Sequence, residues 1–264
     1  MKALIKWGLW QRRWSTIFWS LSIVAFIAIN LVFYPTFRDQ ASEMEAAFED
    51  LPEAAVQLMG GSTDFFSPIG FMNSQIFFIM LPMLLGILAI SLGSKLLANE
   101  EQNHTIESLL ARPISRSKLL LSRIIVGIII LLIATVASLL STLLIADIVD
   151  IDVSAQNMTI ATLGCFLLAL SFGSIAFLLS ALGKARALSI GIASAIAIGG
   201  YLISSLALTV TWLDIPSKFM PFEYYESELI LNGTYNWSNM VILSTVSVVC
   251  GIISWLVFRR RDIY

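Results

Sequence analysis

The sequence predicts an all-α integral membrane protein with six transmembrane helices, and three observations carry that prediction. Of its 264 residues, 58% are hydrophobic and only 13% are charged, where a soluble domain carries about 25% charged residues. Six apolar runs are long enough to cross a bilayer, at about 14–34, 71–97, 118–146, 158–181, 187–212 and 238–258. Roughly 20 helical residues at ~1.5 Å each span a hydrocarbon core of about 30 Å, and none of these runs holds an ionisable residue away from its ends. The third observation is how the charges sort. With both termini on one side, that side holds every one of the 16 lysines and arginines except Arg38 and Lys218. Of the 18 acids it holds only Glu100, Glu101, Glu107 and Asp262. The positive-inside bias makes the basic side cytoplasmic. No polar stretch is long enough to bury a core of its own, so residues 1–264 form one transmembrane domain. No basic face with interleaved aromatics suggests nucleic acid; the lipid bilayer is the first partner.

Each element has its own justification. In the N-terminal MKALIKWGLWQRRW, Leu4, Trp7, Trp10 and Trp14 share a helical face opposite Lys6, Arg12 and Arg13. That suits an amphipathic helix lying in the inner headgroup layer, or a plain basic anchor ahead of span one. The run 14–34 is too long for a signal-peptide core and ends in Tyr34-Pro35, so it is a retained span. In the outer loop 35–70, Ala41, Met44, Phe48 and Leu51 recur at helical spacing among Glu43, Glu45, Glu49 and Asp50. Pro52 interrupts and Gly60-Gly61 ends the segment, which predicts short helices over the outer face before span two. The acids are either a collar for cationic solutes or simply a solvated surface.

Span two carries Pro82 near the bilayer centre, a candidate hinge or an inert proline. Asp147, Asp150 and Asp152 follow span three without the pattern of an EF-hand loop, which favours solvated acids over a metal site. In span five Ala187, Gly191, Ala195 and Gly199 repeat at four-residue intervals, with Ser189, Ala193 and Ala197 beside them. Stripes of small residues let helices approach closely in lipid, so this is a candidate helix-packing or dimer seam. The last outer segment, WLDIPSKFMPFEYYESELILNGTYNW, is too broken by proline to span and predicts short helices before span six. Arg259, Arg260 and Arg261 close the last span as a cytoplasmic stop.

The sequence also excludes chemistry. It has no phosphate-cradling P-loop and a single histidine, His104, so no catalytic residues and no metal site are assigned. Cys165 and Cys250 lie inside apolar runs and read as packing residues. Serines within spans have no acid, lysine or histidine at depth to act as base. No carboxylate sits in a span, though coupled carriers commonly tolerate its cost of about 2.5–3.5 kcal/mol. Energy for any transport must then come from outside the chain. An uncoupled channel, a secondary carrier and a non-transporting scaffold or sensor remain alternatives.

Between spans two and three lies the polar run Asn99–Arg123, NEEQNHTIESLLARPISRSKLLLSR. Ile106, Leu109 and Leu110 form a narrow apolar stripe of a short helix. Pro113 drives Arg112 out of the helical region and ends it, and Ser115 is placed to cap the next helix. Such a helix either docks a soluble partner or rests on the inner leaflet.

This run resembles the permease subunits of type-two ABC exporters, of the bacitracin-resistance and nitrous-oxide-maturation kind. The resemblance rests on Glu100-Glu101, His104-Thr105, Glu107, Leu109-Leu110, Pro113-Ile114-Ser115-Arg116 and Arg123, with His104 where glycine is usual and Arg123 where lysine is usual. The Pro221-Phe222-Glu223-Tyr224-Tyr225 run before span six is similar to the family's as well. The resemblance implies a permease of an ATP-driven exporter in the cytoplasmic (inner) membrane of a prokaryote, both termini inside. It makes the short helix of this run a coupling helix, with Glu101, Thr105, Ile106, Glu107, Leu109, Leu110, Pro113 and Arg116 as the residues that couple to a separate ABC ATP-binding subunit. ATP and Mg would be bound by that subunit and not by this chain. A second permease copy or homologue would complete the path. The family's cargoes are too varied to imply a substrate.

Overall fold

The computed structural model of the chain describes residues 1–40, 52–60, 65, 67–102 and 115–260, with backbone alone over 97–102. The described residues are helical throughout their regular structure, and six helices are long and apolar enough to cross a membrane. Span one runs Lys2–Val32, span three Arg116–Ile148, span four Ala155–Ala181, span five Arg186–Leu206 and span six Trp237–Arg260. Span two is assembled from Pro68–Met72, a π-helical turn at Asn73–Phe77 and Met80–Gln102.

Spans two and four are the centre of the bundle. More than half of their apolar stretches is buried, 61% and 56%, against 17% for spans five and six. Their contact is made by small residues. A Cβ built on Gly93 would lie 2.2 Å from the Gly173 carbonyl oxygen and 3.0 Å from the Phe177 nitrogen, so the two backbones nearly touch. Ala89 meets Gly173 in the same way from the other side. Leucines and phenylalanines close the flanks, with Leu85, Leu168 and Phe172 buried around the crossing. Small residues at a helix crossing let dispersion contacts form along the whole backbone, the main source of helix association in lipid.

Span one departs from the sequence reading. The N-terminal segment is not a separate interfacial helix but the opening turns of span one, because no proline stands between Trp7 and Ile17 and Gly8 alone does not end the helix. Its indoles still point outward: Trp10 and Trp14 are exposed, and the Arg13 guanidinium sits 4.2 Å from the Trp10 ring centre. On the opposite side, Gly8 lets this end pack on span three. There Arg123, 1% exposed, lies 5.5 Å from the Trp7 ring centre. Aromatic rings and long basic side chains commonly hold a helix at the membrane boundary in this manner.

Span five also differs from expectation, ending at Leu206 and not near 212. The run Thr209-Val210-Thr211 is β-branched, and Val210 is extended. The Thr209 hydroxyl donates back to the Leu206 carbonyl at 3.1 Å, a local bond that competes with helix continuation. The chain then folds over the face opposite the termini as short helical pieces, Thr211–Leu213, Asp214–Ser217, Pro221–Tyr224 and Ser227–Leu231. Glu53–Leu58 joins them before span two, so short helices precede spans two and six as the sequence predicts. Trp212, Ile215 and Phe219, just past the end of span five, are 72%, 70% and 80% exposed; aromatic residues are enriched where spans leave the bilayer.

Candidate functional site

At the face that carries the termini, the polar run between spans two and three is held by two long helices. Span two continues as helix to Gln102, and span three begins at Arg116 with Ser115 as its N-cap, the Ser115 hydroxyl accepting from the Lys118 amide at 3.4 Å. The base of span three is tied sideways as well, since the Trp255 indole N–H donates to Ser117 Oγ at 3.1 Å. Of the expected coupling residues, Glu101 lies on the last helical turn of span two and Arg116 opens span three. Thr105, Ile106, Glu107, Leu109, Leu110 and Pro113 lie outside the described residues.

The two small-residue stripes of span five separate cleanly. Ser189 and Ala193 are buried against the chain's own bundle. Ala187, Gly191 and Ala195 face away from it, and a Cβ added at Gly191 or Gly199 would meet nothing within 4 Å. The strict four-residue stripe is therefore not a packing seam within the protomer. The intramolecular seam lies instead between Ala89-Gly93 and Gly173-Ala176, where the sequence reading did not look.

Pro82 sits in the first turn of the Met80–Gln102 helix, about midway along span two. Its ring excludes a regular hydrogen bond to Phe78, and the helix is interrupted at Phe78-Ile79, directly after the π turn. In that turn the Phe78 amide reaches back to the Asn73 carbonyl at 2.8 Å. π turns are single-residue expansions of a helix and recur at functional positions.

Asn73 is the node of a buried network on the far face that sequence reasoning missed. It is fully buried, its Nδ2 donates to the Gly60 carbonyl at 3.1 Å, and its Oδ1 accepts from the Ser227 hydroxyl at 2.6 Å. Gly60 takes φ +126°, a backbone setting that side chains rarely permit. One side chain thus joins the first outer loop, the start of span two and the last outer segment. Beside it, the buried Tyr225 hydroxyl donates to the Phe77 carbonyl at 3.0 Å and lies 2.9 Å from Cys165 Sγ. With that proton committed to Phe77, the thiol is the donor to Tyr225, so Cys165 does more than fill space. Phe78, Tyr201 and Phe222 pack edge-on around this network, with ring centres 5.4–6.0 Å apart. Asn157, although it begins an Asn-Met-Thr tripeptide, is committed inward: its Nδ2 donates to the Leu231 carbonyl at 2.7 Å.

None of these groups is arranged for bond-making chemistry. Among the described residues, no three His, Cys, Asp or Glu side chains are close enough to hold a metal ion. What the arrangement offers is mechanical: a close-packed centre at spans two and four, a polar run mounted between two long helices on one face, and a hydrogen-bonded cap on the other.

Comparison with known proteins agrees with that description. No curated protein matches the chain. The profile of the ABC-2 family transporter proteins matches residues 3–263, nearly its whole length. The six-span protein therefore belongs to the ABC-2 family and is a membrane permease component of an ABC transporter.

Proposed function

We propose that this chain is the permease subunit of an ATP-driven exporter, driven by a separate ATP-binding subunit that docks on residues 101–116. The observation that carries the proposal is the extent of the family match, since residues 3–263 include the polar run and both helices that mount it. The sequence holds no P-loop, so hydrolysis belongs to the partner. A helix between two rigid spans passes a push to both, and span two is one of the central pair. The break at Phe78-Ile79 beside Pro82 gives that span a place to bend. The basic residues gathered with the termini support a cytoplasmic setting for this face.

The test is co-purification with the ATP-binding subunit. Ile106→Asp/Leu110→Asp, which puts two charges on the apolar stripe, is expected to reduce the recovered ATPase at least about tenfold. Each buried unpaired charge costs several kcal/mol. Full retention of the ATPase by the double variant would reject docking at this run. Solute flux through liposomes holding this chain alone would favour an uncoupled channel or carrier.

A working path also calls for a second permease copy, and the outward stripe Ala187-Gly191-Ala195-Gly199 suits close approach by another helix. Gly191→Leu or Gly199→Leu is expected to shift the assembly toward monomer without lowering the thermal stability of the protomer. Oligomer mass measured in lipid nanodiscs decides this; an unchanged mass for both variants removes span five from the interface.

A further inference from the structure

A groove of about 310 Å³ opens on the side of the bundle between spans three and six. Its volume is in the range of small-ligand sites. The floor is the central pair, through Ala89, Gly93 and Gly173. Span three forms one edge with Ile124 and Ile128, and span six forms the other with Ser247 and Val248. Ile128 and Val248 are 36% and 59% exposed, so the groove opens toward lipid between them.

Depth, lining and charge each bear on what fills it. The foot of the groove is the bond from the Trp255 indole to Ser117, at the face that carries the termini. From there, at ~1.5 Å per residue, Ile124 to Leu131 lie roughly 10–21 Å along span three. Gly251 to Ser244 lie roughly 6–16 Å along span six by the same measure. Half of a hydrocarbon core is about 15 Å, so the groove follows one leaflet and stops near the midplane. Its lining is apolar even where the sequence is not. Ser174, Ser244 and Ser247 donate back to their own helices, to the Ser171, Met240 and Leu243 carbonyls at 2.7, 2.8 and 3.2 Å. A polar solute finds no free donor in these hydroxyls, and water, which needs about two to four polar partners, gains little. Charge gathers at the foot instead. Lys118 follows Ser117, and the Arg259 guanidinium lies 5.6 Å from the Trp255 ring centre; both basic residues are exposed.

We infer that this groove holds one acyl chain of an anionic phospholipid from the leaflet on the side of the termini, with the phosphate beside Lys118 and Arg259. Hydrocarbon in the groove supplies the dispersion contacts that an unfilled floor lacks. The two cations attract an anionic headgroup, and the indole sits at the level where aromatic side chains meet headgroups. Such a lipid is held against the Gly93-Gly173 crossing, unlike the lipids that exchange along the outward faces of the spans. The inference concerns binding alone and does not depend on coupling to an ATPase.

The test uses the full chain in phosphatidylcholine nanodiscs that contain a minor fraction of phosphatidylglycerol with a diazirine midway along one chain. After illumination, the labelled peptides are identified by mass spectrometry. Labelling of 124–131 and 244–251 is expected to saturate as the probe is raised. It should fall when unlabelled phosphatidylglycerol is added and not when the same amount of phosphatidylcholine is. Labelling at Phe18 and Leu21, exposed on span one, should instead rise in proportion to the probe. Ser247→Phe, which places a ring in the groove, should cut groove labelling at least about tenfold. Ile128→Trp, at an exposed edge that tolerates bulk, should cut it several-fold. Ile252→Phe, exposed on span six outside the groove, should leave it unchanged. Lys118→Gln/Arg259→Gln should abolish the preference for phosphatidylglycerol. Groove labelling that only tracks Phe18 and Leu21, or that survives both Ser247→Phe and Ile128→Trp, would overturn the inference. So would equal competition by the two lipids in the wild type. Loss of labelling together with a smaller assembly in Ser247→Phe would assign the groove to a second copy of the chain instead.

Discussion

Gly93→Leu is expected to cost the protomer its folded bundle. The Cβ of any residue at 93 would fall 2.2 Å from the Gly173 carbonyl oxygen, 3.0 Å from the Phe177 nitrogen and 3.2 Å from the Ala176 Cβ. Two of those three neighbours are backbone atoms of span four, so no rotamer change can relieve the contact. The helices must separate, and the separation spreads along the crossing through Ala89 and Gly173. Overpacking a well-filled core costs about 1–3 kcal/mol even when side chains can move. Here the larger side chain also forfeits the backbone contacts that hold the central pair, so the loss reaches or passes the top of that range. Gly93→Ala is expected to lower the melting temperature measurably and Gly93→Leu to abolish a cooperative transition. Fluorescence-detected melting in one detergent checks both. Gly251→Leu is the control, since a Cβ added at Gly251 meets nothing within 4 Å and a change of that kind lies within about 0.5 kcal/mol. A Gly93→Leu protein that melts with the wild type would mean that spans two and four do not meet as described.

The same pair of positions shows what a sequence can and cannot reveal in a membrane protein. Six spans were legible because the bilayer imposes length and apolarity on every crossing, and the helix ends of spans three, four and six lie within a few residues of the apolar runs. Which faces meet was not legible. Ala89-x-x-x-Gly93 and Ala169-x-x-x-Gly173 carry the same spacing as Ala187-x-x-x-Gly191, yet two of these stripes close the core and one faces outward. In lipid both inward and outward faces are apolar, so periodicity loses the contrast that marks a core in water. The π turn was invisible for a related reason: apolar periodicity does not register one extra residue in a helix, and the bonds that Asn73 makes there are tertiary. A signal did exist in Asn73-Ser74-Gln75, a polar island inside an apolar run. Polar groups at such depth are costly enough to need partners, and Asn73 has them. The polar run between spans two and three stood out by motif, while most of its residues lie outside those described.

Asn73→Ala is expected to free the outer cap while leaving the bundle folded. The substitution removes the donor to Gly60 and the acceptor for Ser227 together. Both partners are buried, Ser227 at 2% exposure, so water cannot readily replace the amide. Each polar group left without a partner costs about 1–3 kcal/mol, and the emptied amide volume adds to it. The loss falls on Gly60 and on Ser227–Leu231, which Asn73 bonds directly, and not on the close-packed crossing of spans two and four. Local opening should therefore become easier without global unfolding. A change of about 2 kcal/mol corresponds to roughly thirtyfold faster amide exchange where opening limits it. Hydrogen–deuterium exchange over 221–231 is the measurement, with the span four peptides as internal reference. Tyr225→Phe, which loses the bond to Phe77 but keeps the ring, should loosen the same segment less. Asn73→Ala/Ser227→Ala should cost less than the sum of its single variants, because the two side chains share one bond. Unchanged protection of 221–231 in Asn73→Ala would show that the outer segment is held by its aromatic packing alone. Equal loss of protection in span four would show instead that cap and bundle unfold as one unit.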